Sequence, residues 1–244
     1  MVASVSPTWL LCVVSMAAVT AAVSGCATTQ DANKRVDARF DRTLSSRKPL
    51  DFTGSDPDVR VTDTAVVKGK EGSAIVVLLR NHGDHPVNDL PIEVGPRGGR
   101  PLNTEANVPY FQSHAPAIAP GEEVAWVYTT KEPLPSGAAF ARVGARPAAA
   151  PTADNLPDVT VDDSSLTSGR DAGSVQTEVR NDSGVPQYDL DVYAVARRGG
   201  RYVAAGRTTL EHLGVSKSAH LTLSLLGDAK GAHVQVFAPP TLFE

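Results

Sequence analysis

The chain has 244 residues, 41% of them apolar and 20% charged, with 18 Pro, 20 Gly and two Cys. That length allows one large domain or two ordinary ones, and the composition is too ordered for a disordered chain yet too rich in turn formers for a helical bundle. A net charge of −4 argues against a nucleic-acid binder with a basic surface, and two cysteines build neither a disulfide scaffold nor a four-thiolate zinc site.

From Trp9 to Gly25 there is no charged residue, and the run Trp9 to Val19 is followed by the small residues that lead to Val23-Ser24-Gly25-Cys26. Seventeen residues lie at the lower limit for spanning a hydrocarbon core, which takes roughly 20, and an apolar run that ends in small residues reads as an export signal. Val23-Ser24-Gly25-Cys26 resembles the lipobox of bacterial lipoproteins. The resemblance implies that the Cys26 thiol receives a diacylglyceryl group, that the signal 1–25 is removed, and that Cys12 leaves with it. The expected location is the cell membrane on its extracytoplasmic side, with membrane lipid as the first partner. The segment before Trp9 has no Lys or Arg, unlike the usual signal, which a true start upstream of Met1 would explain. The alternative is an uncleaved anchor. Its flanking cations Lys34, Arg35, Arg39 and Arg42 would then hold the rest of the chain in the cytoplasm.

Residues 26–56 read as the lipidated cysteine and a solvated tether of roughly 30 Å reach, although Val36, Phe40 and Leu44 have the spacing of a short amphipathic helix. Beyond it the chain repeats at a period of 100. Positions 57–97 match 157–197 without a gap at twelve of 41 places, among them Pro57-Asp58-Val59, Arg80-Asn81 and Asp89-Leu90, the mark of a duplicated domain. In the second copy six short runs alternate or are β-branched: 159–161, 174–180, 189–196, 202–209, 219–226 and 233–238. Gly199-Gly200 stands between two of them, where a tight hairpin needs positive φ. The predicted fold is all-β: two tandem immunoglobulin-like sandwiches, at 57–146 and 157–240, joined by a proline-rich linker at 147–156. The opening Pro-Asp-Val and the later apolar strand ending in Arg-Asn resemble the cell-adhesion-related domain of bacteria and are similar to FxLYD-type modules of surface lipoproteins. That resemblance implies an extracytoplasmic spacer or binding module and supplies no catalytic residue.

Chemistry is scarce. His82-Gly83-Asp84-His85 offers two imidazoles and a carboxylate, but the second copy has Asp182-Ser183-Gly184-Val185 there, so a solvated turn is the better reading. Asp56, Asp58, Asp63, Asp158, Asp162 and Asp163 lack the spacing and the glycine turn of a calcium loop. No Gly-x-Ser-x-Gly elbow occurs. The two Arg-Gly-Gly-Arg tips, 97–100 and 198–201, suit phosphate or an acidic glycopolymer less well than they suit hairpin turns. The most informative feature is an asymmetry: copy one has Val76 and Leu78 where copy two has Gln176 and Glu178. With Ile75, Val77 and Leu79 on the other side, that strand is apolar on both faces and calls for a cover. The cover is expected from copy two, from the Phe40–Leu44 segment, or from a second protein. The expected function is a non-catalytic, lipid-anchored envelope module that binds a protein or acts as a spacer, with Val76 and Leu78 as the interaction surface. The alternative is a ligand-binding module for cell-wall glycan or a metal ion. No cofactor is expected.

Overall fold

The computed structural model describes residues 50–97, 111–146, 155–168 and 173–242. The first copy supplies β1 (Val59–Lys68), β2 (Ser73–Asn81), β3 (Pro91–Pro96), β4 (Phe111–His114), β5 (Glu123–Thr130) and β6 (Ala139–Val143). The sheets β1-β2-β5 and β4-β3-β6 are antiparallel throughout. The second copy repeats the order with β7 (Val159–Ser168), β8 (Gly173–Asn181), β9 (Gln187–Arg198), β10 (Arg201–Leu213), β11 (Ser218–Gly227) and β12 (His233–Phe237). Here the halves β7-β8-β11 and β10-β9-β12 are joined into one six-stranded sheet by the pairing of Ala204 and Ala205 with Gly227 and Leu226. In both copies the fifth strand returns to pair with the second, a Greek-key return. Each copy is an all-β sandwich.

Side-chain alternation drives these elements. In β8, Val175, Thr177 and Val179 are buried while Gln176 and Arg180 are exposed, and register pairs Val175 with Leu223 and Val179 with Ala219 on the same face. Gly199 and Gly200 take φ of 58° and 76°, the two positive values that a two-residue hairpin requires. The first strand of the second copy runs to Ser168, well past the three residues whose alternation is clear. A register shift between Asp162 and Ser165, with Asp163 at φ 40°, inserts a bulge, so the alternation slips and the polar run continues as strand. The first copy has the same device between Val61 and Asp63.

The residues identical in the two copies brace the backbone. Asn81 is fully buried. Its Nδ2 donates to the carbonyls of His85 (2.8 Å) and Ile118 (3.1 Å), and its Oδ1 accepts from Gly83 N–H (2.9 Å). Asn181 donates to Val185 O (2.9 Å), Leu213 O (3.3 Å) and Gly214 O (3.2 Å), and accepts from Ser183 N–H (3.1 Å). One amide thus ties two loops at the same end of each sandwich. Asp58 O accepts from His82 N–H (2.8 Å), as Asp158 O does from Asp182 N–H (2.9 Å). Asp89 and Asp189 hold φ of 54° and 47°, a left-handed turn that a short polar side chain tolerates, and the leucine after each is fully buried.

The folded units extend past the boundaries expected at 57 and 240. Asp56, assigned to the tether, is buried: its Oδ1 accepts from Asp58 N–H (2.9 Å) and Val59 N–H (3.2 Å), and its Oδ2 meets Arg146 Nε at 3.1 Å. Phe52 lies under the Arg142 guanidinium, 4.8 Å away. At the other terminus, Thr241 N–H and Oγ1 donate to Oε1 of the buried Gln187 at 2.7 and 3.0 Å.

Asn181→Ala strips one buried and two partly buried carbonyls of their shared donor and should destabilise the protein by about 2–3 kcal/mol, read as a lower urea midpoint. Asn81→Ala should behave likewise, whereas Asn181→Asp should not restore stability, because a carboxylate cannot donate.

Candidate functional site

The two-faced strand lies at the centre of the molecule. Register places Val66, Trp126 and Tyr128 with Ile75, Val77 and Leu79 on the face turned to β4-β3-β6, where Tyr128 stacks on Phe111 at 4.3 Å and Thr64 Oγ1 donates to Ala139 O at 2.9 Å. Ala65, Val67, Ala125 and Val127 share the opposite face with Val76 and Leu78. That second face packs on the second copy: β1, β2 and β5 meet β9 and β10, and Tyr193, Val195 and Ala205 belong to the same buried cluster as Val76 and Leu78. Val76 is fully buried and Leu78 is 5% exposed. Of the three covers expected for this face, the structure shows copy two.

The receiving face carries the same sequence signal as β2. In β9, Leu190, Val192, Ala194 and Ala196 line the second sandwich's own core, while Tyr193 and Val195 fall on the other side, and both sides are buried. The unbroken run 192–196 announces a strand covered twice, and sequence reading passed over it. Partly buried Tyr202, Leu226 and Phe237 complete the patch. At its far end Gly227, at φ 101°, leaves no room for a Cβ, which would stand 2.7 Å from Val67 Cγ1 and 2.2 Å from Val203 O. There the ends of β1 and β11 touch.

A polar clamp borders the seam. Arg197 Nη2 donates to Asp63 Oδ2 across the modules at 3.4 Å and to the Tyr202 hydroxyl, and its guanidinium lies 4.2 Å over the Tyr202 ring. Asp63 is half exposed, so the ion pair itself contributes little; its role is to fix orientation. Burial pushes the Tyr202 phenol above its ordinary value, with Arg197 opposing. Burial likewise raises Tyr128, against the pull of Arg207.

The outer face of β7-β8-β11, which corresponds to the covered face of copy one, is polar and open. Arg180 pairs there with Asp182 (3.0 Å) and Asp162 (3.8 Å), and His220 stands 3.9 Å from Glu178. These acids hold the Arg180 guanidinium above its usual value. On the corresponding sheet of copy one to the receiving face, Glu93 is buried and takes Arg142 Nε at 2.7 Å and Gln112 Nε2 at 2.8 Å. This ion pair with its glutamine thus occupies the place that Tyr193, Arg207 and Phe237 hold in copy two.

The other expected sites divide plainly. His82, Asp84 and His85 are exposed in the β2–β3 loop, with His85 3.4 Å from Asp84. Among the described residues no three His, Cys, Asp or Glu side chains stand close enough to hold a metal. Asp56 and Asp58 serve Arg146, Asp63 serves Arg197, and Asp162 serves Arg180. Trp126 is a core residue, 1% exposed. Of the Arg-Gly-Gly-Arg tips, 198–201 is an exposed hairpin, while 98–100 lies outside the described residues. Cys26, the signal 1–25, the Val36–Leu44 segment and linker residues 147–154 also lie outside them. Among the described residues no helix is long and apolar enough to cross a membrane. No protein-family model and no curated protein matches the chain.

Leu78→Glu drives a carboxylate into the seam and should cost about 4 kcal/mol or more, while Gln176→Glu on the open face stays within about 0.5 kcal/mol; denaturant titration of both checks this. The Tyr202 phenol is raised, so its contribution to the seam is complete below the usual tyrosine value near pH 10 and is lost as pH climbs through the raised one. Tyr202→Phe should blunt the alkaline loss of stability.

Proposed function

We propose that this chain is an envelope lipoprotein, held at the extracytoplasmic face of the cell membrane by lipid on Cys26, whose paired sandwiches form a stiff, non-catalytic binding or spacing module. The observation that carries the reading is Val23-Ser24-Gly25-Cys26 at the end of an uncharged apolar run, followed by a chain whose described part is wholly β-sandwich. The packing of copy one on copy two supports the stiffness. Two modules that share a buried apolar seam move as one body, whereas beads on a string would swing about the linker. A protein partner, if the module serves one, engages a surface other than Val76 and Leu78.

Metabolic labelling with a radioactive fatty acid, combined with membrane fractionation, tests the anchor. The wild-type chain should carry label and sediment with membranes, and Cys26→Ala should lose the label. An unlabelled wild-type chain, or a Cys26→Ala chain that keeps its label, contradicts the reading.

A further inference from the structure

The two copies finish the same corner differently. In copy one the first strand bonds across it to the last strand and the residues before it: Val66 N–H donates to Gly137 O at 2.6 Å, Gly137 N–H to Val66 O at 3.3 Å, and Thr64 Oγ1 to Ala139 O at 2.9 Å. In copy two β7 and β12 face each other across the sandwich, but among the described residues no backbone hydrogen bond joins them. There, β12 closes the six-stranded sheet with an edge that no strand pairs. The opposite edge, β7, is bulged between Asp162 and Ser165 and carries Asp162 and Asp163 at the bulge, devices that keep a further strand off. Nothing of the kind protects β12. It pairs with β9 in unbroken register, from His233 opposite Arg197 to Phe237 opposite Tyr193, and His233-Val234-Gln235-Val236-Phe237 holds no proline, lysine or acid. His233 and Gln235 are exposed. Val234 and Val236 turn to the core of the second sandwich, and Phe237 lies against the seam. Copy one seats its strands on β9, β10 and β11, to one side of β12.

We propose that β12 pairs with β12 of a second copy of this chain, antiparallel about a two-fold axis at Gln235, so that two six-stranded sheets become one. The strand is complementary to itself in that register. Val234 meets Val236 of the second copy on the core side, and the two Gln235 amides meet on the outer side, where each can donate to and accept from the other. His233 comes opposite Phe237, so no two like charges are opposed at neutral pH. The unpaired N–H and C=O groups of each edge supply the other's partners. The symmetry also closes the assembly: each chain spends its one β12, and the bulged, acidic β7 blocks the head-to-tail pairing of β12 on β7 that would run on into a fibre. Five residues span about 17 Å, a short interface that suits a weak, reversible dimer.

Sedimentation equilibrium of the full-length chain in density-matched detergent, at about 5–200 µM, tests the pairing. The wild-type chain should show a monomer–dimer equilibrium, and Cys26→Ala should show the same one, since the pairing does not rest on the anchor. Gln235→Lys and Gln235→Glu each set like charges opposite one another and should weaken dimerisation about tenfold with unchanged thermal transitions. An equimolar mixture of the two should dimerise at least as tightly as wild type. His220→Lys, on the open face of β11, should leave the dimer within about twofold. The proposal is overturned if the wild-type chain stays monomeric over this range, which would leave the edge to an extended segment of another protein. It is equally overturned if Cys26→Ala abolishes the dimer, if either Gln235 variant dimerises like wild type, if their mixture does not recover the dimer, or if His220→Lys weakens it as much as Gln235→Lys.

Discussion

Residues 74–79 of β2 form a strand with no face suited to water: Ala74, Val76 and Leu78 are as buried as Ile75, Val77 and Leu79. Burying a Val or Leu contributes about 1.5–3 kcal/mol, so leaving Val76 and Leu78 bare would forfeit a sizeable part of the 5–15 kcal/mol that holds a typical domain folded. One face is covered by the sandwich's own second sheet. The other needs a second apolar face of matching area, and the strand of copy two that is apolar on both sides supplies it through Tyr193 and Val195. The duplication has therefore produced a fused pair rather than two independent units.

The two copies divide their residues between two tasks. What they share keeps each sandwich folded: the buried Asn81 and Asn181, the left-handed Asp89 and Asp189, and the backbone contacts of Asp58 and Asp158. What differs decides how they stack. Val76 and Leu78 become Gln176 and Glu178, and Glu93 becomes Tyr193, so the apolar face of copy one meets an apolar receiver in copy two and the outermost faces of the pair are polar or charged.

Much of the fold is legible in the sequence because it is local. Period-two alternation marks β8 and β11, the Gly-Gly pair marks the β9–β10 hairpin, and a period of 100 residues marks the duplication. What escaped reading is non-local or breaks the period. A bulge at Asp162 and Asp163 hides seven residues of β7 among polar side chains. The packing of Asp56 depends on Arg146, ninety positions away, and the Arg197–Asp63 clamp depends on how two modules meet. The demand for a cover on Val76 and Leu78 was readable; its source was not, because either a partner protein or the second copy satisfies the same pattern.

The account's central claim is that the seam makes the two sandwiches one cooperative unit. Native-state amide hydrogen exchange on the intact chain tests it most directly, comparing the slowest amides of β2 with those of β9 as denaturant is raised. The account predicts that both strands exchange through one common opening, with the same free energy and the same denaturant dependence. If β2 opens at a markedly lower free energy while β9 stays protected, the modules unfold independently and the seam is not what the first sandwich depends on.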